Sequence, residues 1–138
     1  MVWSAGTDHS VFRSTDGGRH WVSRRPQGAP LLHVNGIVAF DSGRVWIAVD
    51  NYQIYHSVDG GDTWELWTLA PESSEGANLF AAYLGVTALD DTRVWATGFT
   101  FDGRGLITHT SGTGKKWDTQ VPASGGGLRW VSFVGAAR

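Results

Sequence analysis

Three aspartates stand in short turns rich in Gly, Asn and Thr: Asp8, Asp50 and Asp102. Two carboxylates facing each other across a sugar are what glycoside hydrolysis needs, one as acid and one as nucleophile or base. Asp50 and Asp102 are the pair this chemistry would use. The same loops supply Asn51, Tyr52, Phe101 and Arg104, an amide, two rings and a cation suited to ligand recognition. The plainer reading is that an Asp in such a turn accepts hydrogen bonds from its own backbone. Arg44, Arg93 and Arg138 recur at one position of a repeat, which would suit an anion. Alternatively, their stems cover neighbouring Trp rings. The five histidines, His9, His20, His33, His56 and His109, show no metal-ligand spacing, so no metal and no cofactor is expected. Gly112 to Lys115 lacks the spacing of a phosphate loop.

Composition narrows the classes further. The chain has 138 residues, 17% of them charged, with a formal net charge of −2. No basic excess exists to neutralise a phosphate backbone, so nucleic acid is not an expected partner. No apolar run approaches the ~18–20 residues of a membrane helix, so no membrane partner is expected. Met1 leads directly into strand-like sequence, and no signal peptide is read there. The absence of cysteine removes disulfide and zinc-thiolate frameworks.

The elements that position these loops repeat. Ser14-Thr15-Asp16-Gly17-Gly18-Arg19-His20-Trp21 recurs as Ser57-Val58-Asp59-Gly60-Gly61-Asp62-Thr63-Trp64. A decayed copy runs from Thr110 to Trp117, with Gly112 in place of the Asp and Gly114 retained. A second marker, Arg44-Val45-Trp46, returns as Arg93-Val94-Trp95 and, without its Arg, as Val2-Trp3. The marker Trp precedes the box Trp by 18, 18 and 22 residues, and the period is near 43. That period fits propeller blades of four strands, A to D. Within a unit, Val34–Phe40, Arg44–Val49, Gln53–Val58 and Thr63–Leu69 read as strands, with β-branched and aromatic residues between Gly, Asp and Asn breaks. No sustained 3.6 period appears, although 71–82 has room for one helical turn.

The expected fold is therefore all-β, a three-blade propeller arc with strand layout BCD-ABCD-ABCD-A. Its repeats are 128–138 joined to 1–27, then 28–70, then 71–123. The tail strand Leu128–Val134 is an A strand without its own sheet, and Val2–Gly6 is a B strand without its A. Rings close with roughly 4 to 8 blades, so three are too few. Open edges pair with something. Strand 128–134 of one copy against strand 2–6 of another would give a six-bladed, head-to-tail homodimer. The rival expectation is an arc cut from a longer propeller.

The pattern Ser-x-Asp-x-Gly-x-x-Trp resembles the Asp-box, or BNR repeat, of sialidases, xyloglucanases, sortilin-type domains and photosystem II assembly factors. The longer phrase through Val2-Trp3-Ser4-Ala5-Gly6 to Phe12-Arg13-Ser14-Thr15-Asp16-Gly17-Gly18 is most similar to the last group. The resemblance implies that Ser14, Asp16, Gly18, Trp21, Ser57, Asp59, Gly61, Trp64, Gly114 and Trp117 are structural, on the face away from ligands. It also implies an extracytoplasmic parent protein. A sialidase would further need an arginine cluster and a tyrosine nucleophile; its Arg-Ile-Pro signature is absent, since Arg24-Arg25-Pro26 matches neither in place nor in residue. The box has a physical logic of its own: the Asp accepts turn N–H groups, the paired Gly residues supply positive φ, and the Trp covers the hairpin. Trp3, Trp46 and Trp95 are expected in the core. Trp67 and Trp130 break the repeat and are expected at the surface, ready to stack on a ligand.

Together these features point to a non-enzymatic, self-assembling binding or scaffold module whose ligand is a protein or a glycan. The alternative is a fragment of an Asp-box glycoside hydrolase.

Overall fold

The computed structural model describes residues 1–41, 43–68, 82–90, 92–111 and 116–132. Among the described residues, eleven strands form three antiparallel sheets. Blade 1 holds β1 (Val2–Ala5), β2 (Val11–Ser14) and β3 (Val22–Ser23). Blade 2 holds β4 (Val34–Ala39), β5 (Val45–Val49), β6 (Gln53–Ser57) and β7 (Glu65–Thr68). Blade 3 holds β8 (Ala82–Ala88), β9 (Arg93–Phe99), β10 (Gly105–Ser111) and β11 (Trp117–Gln120). Each sheet pairs its strands in chain order, a meander made by short turns. The fold is all-β with the BCD-ABCD-ABCD part of the expected layout; the final A strand expected at Leu128–Val134 is not formed over its described residues, 128–132.

Alternation along each strand sends side chains to opposite faces. In β5 this puts Trp46 and Ala48 into the seam with blade 3, and Ile47 and Val49 into the seam with blade 1. Blade 2 is covered on both sides, so every residue of β5 is buried. The seam between blades 1 and 2 is built on Val11, Val34, Ile47, Val49 and Tyr55, with Trp3 and Trp64 packed against it. The seam between blades 2 and 3 is larger and aromatic, with Trp46, Tyr52, Trp67 and Tyr83, and Trp117 packed against it.

Trp67 departs from expectation. It is 8% exposed and stands edge-on to Trp46 at 4.6 Å and to Trp117 at 6.0 Å. Its place in blade 2 corresponds to Arg24 in blade 1. The position faces the following blade, and the apolar seam with blade 3 favours a ring there. Trp130, by contrast, is 89% exposed, as expected.

The strands B and C of every blade share one device. The C-strand residue directly opposite the marker Trp lies against its indole: Arg13 over Trp3, His56 on Trp46 at 3.8 Å, and His109 on Trp95 at 6.2 Å. All three thus stack within their sheet; Trp46 is also fully buried in a seam and Trp3 packs against one, whereas Trp95, expected in the core, is only half-buried.

Tail residues 126–132 run beside blade 3. Gly126 bridges Arg104, and the Leu128 N–H donates to the Gly98 carbonyl at 2.9 Å. The same bond joins Val34 N–H to Gly6 O, also at 2.9 Å, where β4 begins. Leu128 therefore starts the tail as Val34 starts an A strand. The possible helical turn at 71–82 falls almost wholly outside the described residues, as do Gly112 to Lys115 of the third box, Gly114 among them, and the end of the tail with Arg138.

Candidate functional site

The B–C loop of blade 2 is Asp50-Asn51-Tyr52. Asn51 and Tyr52 have φ of 57° and 56°, and Asp8 and His9 of blade 1 have 55° and 51°. Two successive positive φ values make the tight hairpin turn whose twist suits antiparallel strands. Asn tolerates this conformation, whereas a ring-bearing residue does so at a cost in backbone strain. The second residue turns its ring inward at both places. Tyr52 stands edge-on to Tyr83 at 5.8 Å, and His9 stands edge-on to Tyr55 at 5.7 Å. Position by position, Asp8 therefore matches Asn51, and Asp50 matches Thr7. The three loop aspartates do not form an equivalent set.

Tyr52 is 6% exposed and belongs to the core rather than to an open binding surface. Burial, then the charge of Asp102, pushes its hydroxyl pKa up. Burial also raises Tyr83 and lowers His9, whose ring is kept neutral further by Arg25.

Asp50 is committed to its surroundings. It accepts from Asn35 Nδ2 at 2.9 Å and from the His33 N–H at 3.3 Å, and Asn35 Nδ2 also reaches Tyr83 O at 2.9 Å. These bonds tie the end of β5 to the start of β4 and to β8. Asp102 accepts from the Thr100 hydroxyl and, at 2.7 Å, from Arg104 Nε. The first of these bonds, then the Arg104 guanidinium, holds its pKa below the usual carboxylate range. Both carboxylates are thus hydrogen-bonded to groups close by. What the loops present outward is Asn51, Phe101 and the Asp102–Arg104 pair, with Phe101 76% exposed.

The turns at the opposite end are saturated. Ser14 Oγ donates to Asp16 Oδ1 at 2.8 Å and accepts from the Gly18 N–H at 2.8 Å, while Arg19 and His20 N–H groups reach the same Asp oxygen at 3.0 Å. Blade 2 repeats this with Ser57, Asp59, Gly61 and Thr63. The box Trp then locks the hairpin outward or sideways: Trp21 Nε1 donates to Gly18 O at 3.0 Å, and Trp64 Nε1 to Arg24 O of the neighbouring blade at 2.7 Å. Arg44 and Arg93 are placed by a motif the sequence reading passed over, an Asp three residues earlier. Asp41 accepts from Arg44 Nε at 2.8 Å, and Asp90 from Arg93 Nε at 2.7 Å. These ion pairs hold the guanidinium groups of both arginines on their own turns. The Asp-x-x-Arg spacing in a tight turn was the available signal. Arg13 was also missed, because its counterparts in the other blades are histidines.

These turns give an acid signature. Hydrogen bonds lower Asp16, Asp41 and Asp59 to about 2. A carboxylate whose folded pKa is depressed contributes stability that is present above its unfolded value near ~3.9 and is lost as pH falls toward the folded one. The melting temperature should therefore hold from pH 7 to about 5 and drop progressively between about pH 4 and 2. Circular dichroism melts across that series check this, and Asp59→Ala should flatten the drop while lowering the plateau.

The family model described as photosynthesis system II assembly factor YCF48 matches residues 2–134. No curated protein matches the chain. A solved structure, "YCF48 bound to D1 peptide", superposes with a TM-score of 0.64 at 23% sequence identity, covering 85% of this chain and 36% of that one. The likeness to that structure is one of fold, and this chain spans well under half of its length. With strands, boxes and marker tryptophans in phase over nearly every residue, the chain belongs to the YCF48 family of BNR-repeat propellers.

Proposed function

We propose that this chain is a non-enzymatic propeller module whose ligand is a protein segment, held on the B–C loop face by Asn51, Phe101, Asp102 and Arg104. Asp50 and Tyr52 support that face from beneath. The observation that carries the reading is the commitment of both candidate carboxylates to partners within their own neighbourhood, beside an exposed Phe101. The solved relative is bound to a peptide, which makes that D1 peptide the natural first probe. Titration of the chain with it, followed by fluorescence, should show saturable binding. Phe101→Ala should weaken binding roughly ten-fold, as loss of a central aromatic anchor does, with the melting temperature unchanged. Equal affinity in the variant would move the site elsewhere. Capture on a glycan array without peptide binding would make the module a lectin. Turnover of aryl glycosides that disappears in Asp50→Asn would make it a hydrolase.

The reading includes self-assembly. In it, residues 128–138 of one copy join 1–27 of another to make a third four-stranded unit beside 28–70 and 71–123, and two copies complete six blades. The support is the inner edge of β1, which has no A strand among the described residues, and a tail that starts as an A strand does. Sedimentation of the 138-residue chain should give the mass of two copies; a monomer at all concentrations would rule this out.

A further inference from the structure

We infer, resting on the loop-face reading above, that Asn35 is the positioning residue of the ligand face: its side-chain amide nitrogen locks the B–C loops of blades 2 and 3 into one surface. Asn35 itself lies in β4 and in neither loop. A β-bulge places it. Val34 pairs with Val49 and Gly36 with Ala48, which leaves Asn35 as the extra residue. A bulge re-aims the side chain it carries. Blade 3 has the same bulge between Tyr83 and Gly85, and its extra residue is Leu84. Val49 and Gly98 hold the same place in their pairs, so Asp50 corresponds to Phe99. Where blade 2 sets an amide and a carboxylate, blade 3 has two apolar residues. The repeat therefore does not call for an amide at this position.

What calls for one is the neighbourhood. Asn35 Nδ2 donates to Asp50 Oδ1 at 2.9 Å and to Tyr83 O at 2.9 Å. A carboxylate and a carbonyl are both acceptors, and an NH2 group has one proton for each. The two acceptors stand at the roots of the two loops. Asp50 directly precedes Asn51 and bridges Ala82 at the start of β8. Ala82 and Tyr83 pair with Phe99 and Gly98, and that strand runs on into the loop of Phe101, Asp102 and Arg104. Tyr52, which ends the blade 2 loop, meets the Tyr83 ring at 5.8 Å. One amide thus fastens the root of the Asn51 loop to the root of the Phe101 loop. Loops already fixed need not be ordered when a ligand arrives, which adds affinity without any contact from Asn35.

The chemistry of the junction has a signature that packing alone would lack. Asn35→Asp keeps the shape and removes both donor protons. Two carboxyl groups and a carbonyl then meet with no proton between them. Carboxyl groups this close ionise together only at a cost, so the pair holds one proton to higher pH than either would alone. Above that raised pKa the variant carries the full penalty, and the penalty is relieved as pH falls through it. The other titratable and charged groups nearby are common to both proteins. His9 of blade 1 feels the Asp50 charge, with Arg25 acting on the same ring, and Asp102 acts on the Tyr52 hydroxyl. His33 donates its backbone N–H to Asp50 Oδ2, and burial keeps Tyr52 and Tyr83 protonated throughout. Comparison with wild type at each pH therefore isolates the pair.

The melting-temperature deficit of Asn35→Asp should be full at pH 7 and shrink as pH falls toward about 4. Asn35→Ala loses the donors and adds no charge, so its deficit should stay level from pH 7 to pH 5. At pH 7 both variants should bind the D1 peptide at least ten-fold more weakly than wild type. As pH falls, Asn35→Asp should regain affinity relative to wild type and Asn35→Ala should not. An Asn35→Asp deficit that ignores pH, or no deficit at all, overturns the inference. A deficit with the expected profile but unchanged peptide affinity overturns the role of Asn35 in the ligand face. A wild-type chain that binds no D1 peptide overturns the loop-face reading instead, and the pH profile, measured without peptide, still decides whether Asn35 joins the two loops.

Discussion

Trp46→Ala should lower the unfolding free energy by about 3–5 kcal/mol, the range for removing a fully buried Trp or Phe. Trp46 has no exposed surface and lies at the centre of the larger seam. It stacks on His56 at 3.8 Å with an interplanar angle of 12° and meets Trp67 edge-on at 4.6 Å. Truncation would open a cavity and remove one ring contact each from His56 and Trp67. For a chain of this size the loss corresponds to a fall of about 10–15 °C in melting temperature. Trp46→Phe keeps most of the apolar volume and removes an indole N–H that has no hydrogen-bond partner among the described residues, so its loss should be smaller. Urea unfolding of the three proteins side by side gives the measurement. Equal stability of Trp46→Ala and wild type would mean that the seam between blades 2 and 3 does not carry the fold.

The second large effect is expected at Gly98. A Cβ there would fall 2.0 Å from Ala82 O and 3.0 Å from Tyr83 Cα, both on the paired strand. No rotamer relieves a collision with backbone, so β8 and β9 must separate. Gly98→Ala should cost about 3 kcal/mol or more, the upper end of overpacking effects. The close approach of the β8 backbone at Ala82 explains why this position is glycine. Blade 2 pairs Val34 with Val49 at the same place, and blade 3 pairs Tyr83 with Gly98. Gly6→Ala is the control. Gly6 is the blade 1 counterpart, and a Cβ there meets nothing within 4 Å. That variant should be close to neutral in the same urea series.

The contrast between these glycines shows how far the sequence could be read. The boxes were legible because the bonds of Ser14, Asp16 and Gly18 are local, made within one turn, and local chemistry is written in adjacent residues. The strands were legible because β-branched and aromatic runs end at Gly, Asn and Asp, and observed ends fall within a residue or two of the predicted ones. The Asp41–Arg44 pair was equally local and could have been found. Tyr52 could not. Its inward turn depends on two positive φ values and on Tyr83 waiting across a seam from a strand some thirty residues away.

By itself, then, the amino-acid sequence determined the number of blades in the arc, the phase of the repeat, the hairpin chemistry and the family. All of these rest on spacing and on bonds that span a few residues. Only the tertiary structure decided which side chains are left for a ligand. Asp50, Tyr52 and Trp67 read as surface groups in a linear pattern, and each is taken up by a partner on another strand or in the next blade. Burial in stacked sheets is a property of the neighbouring blade, and a strand's own alternation is the same whether one face or both are covered.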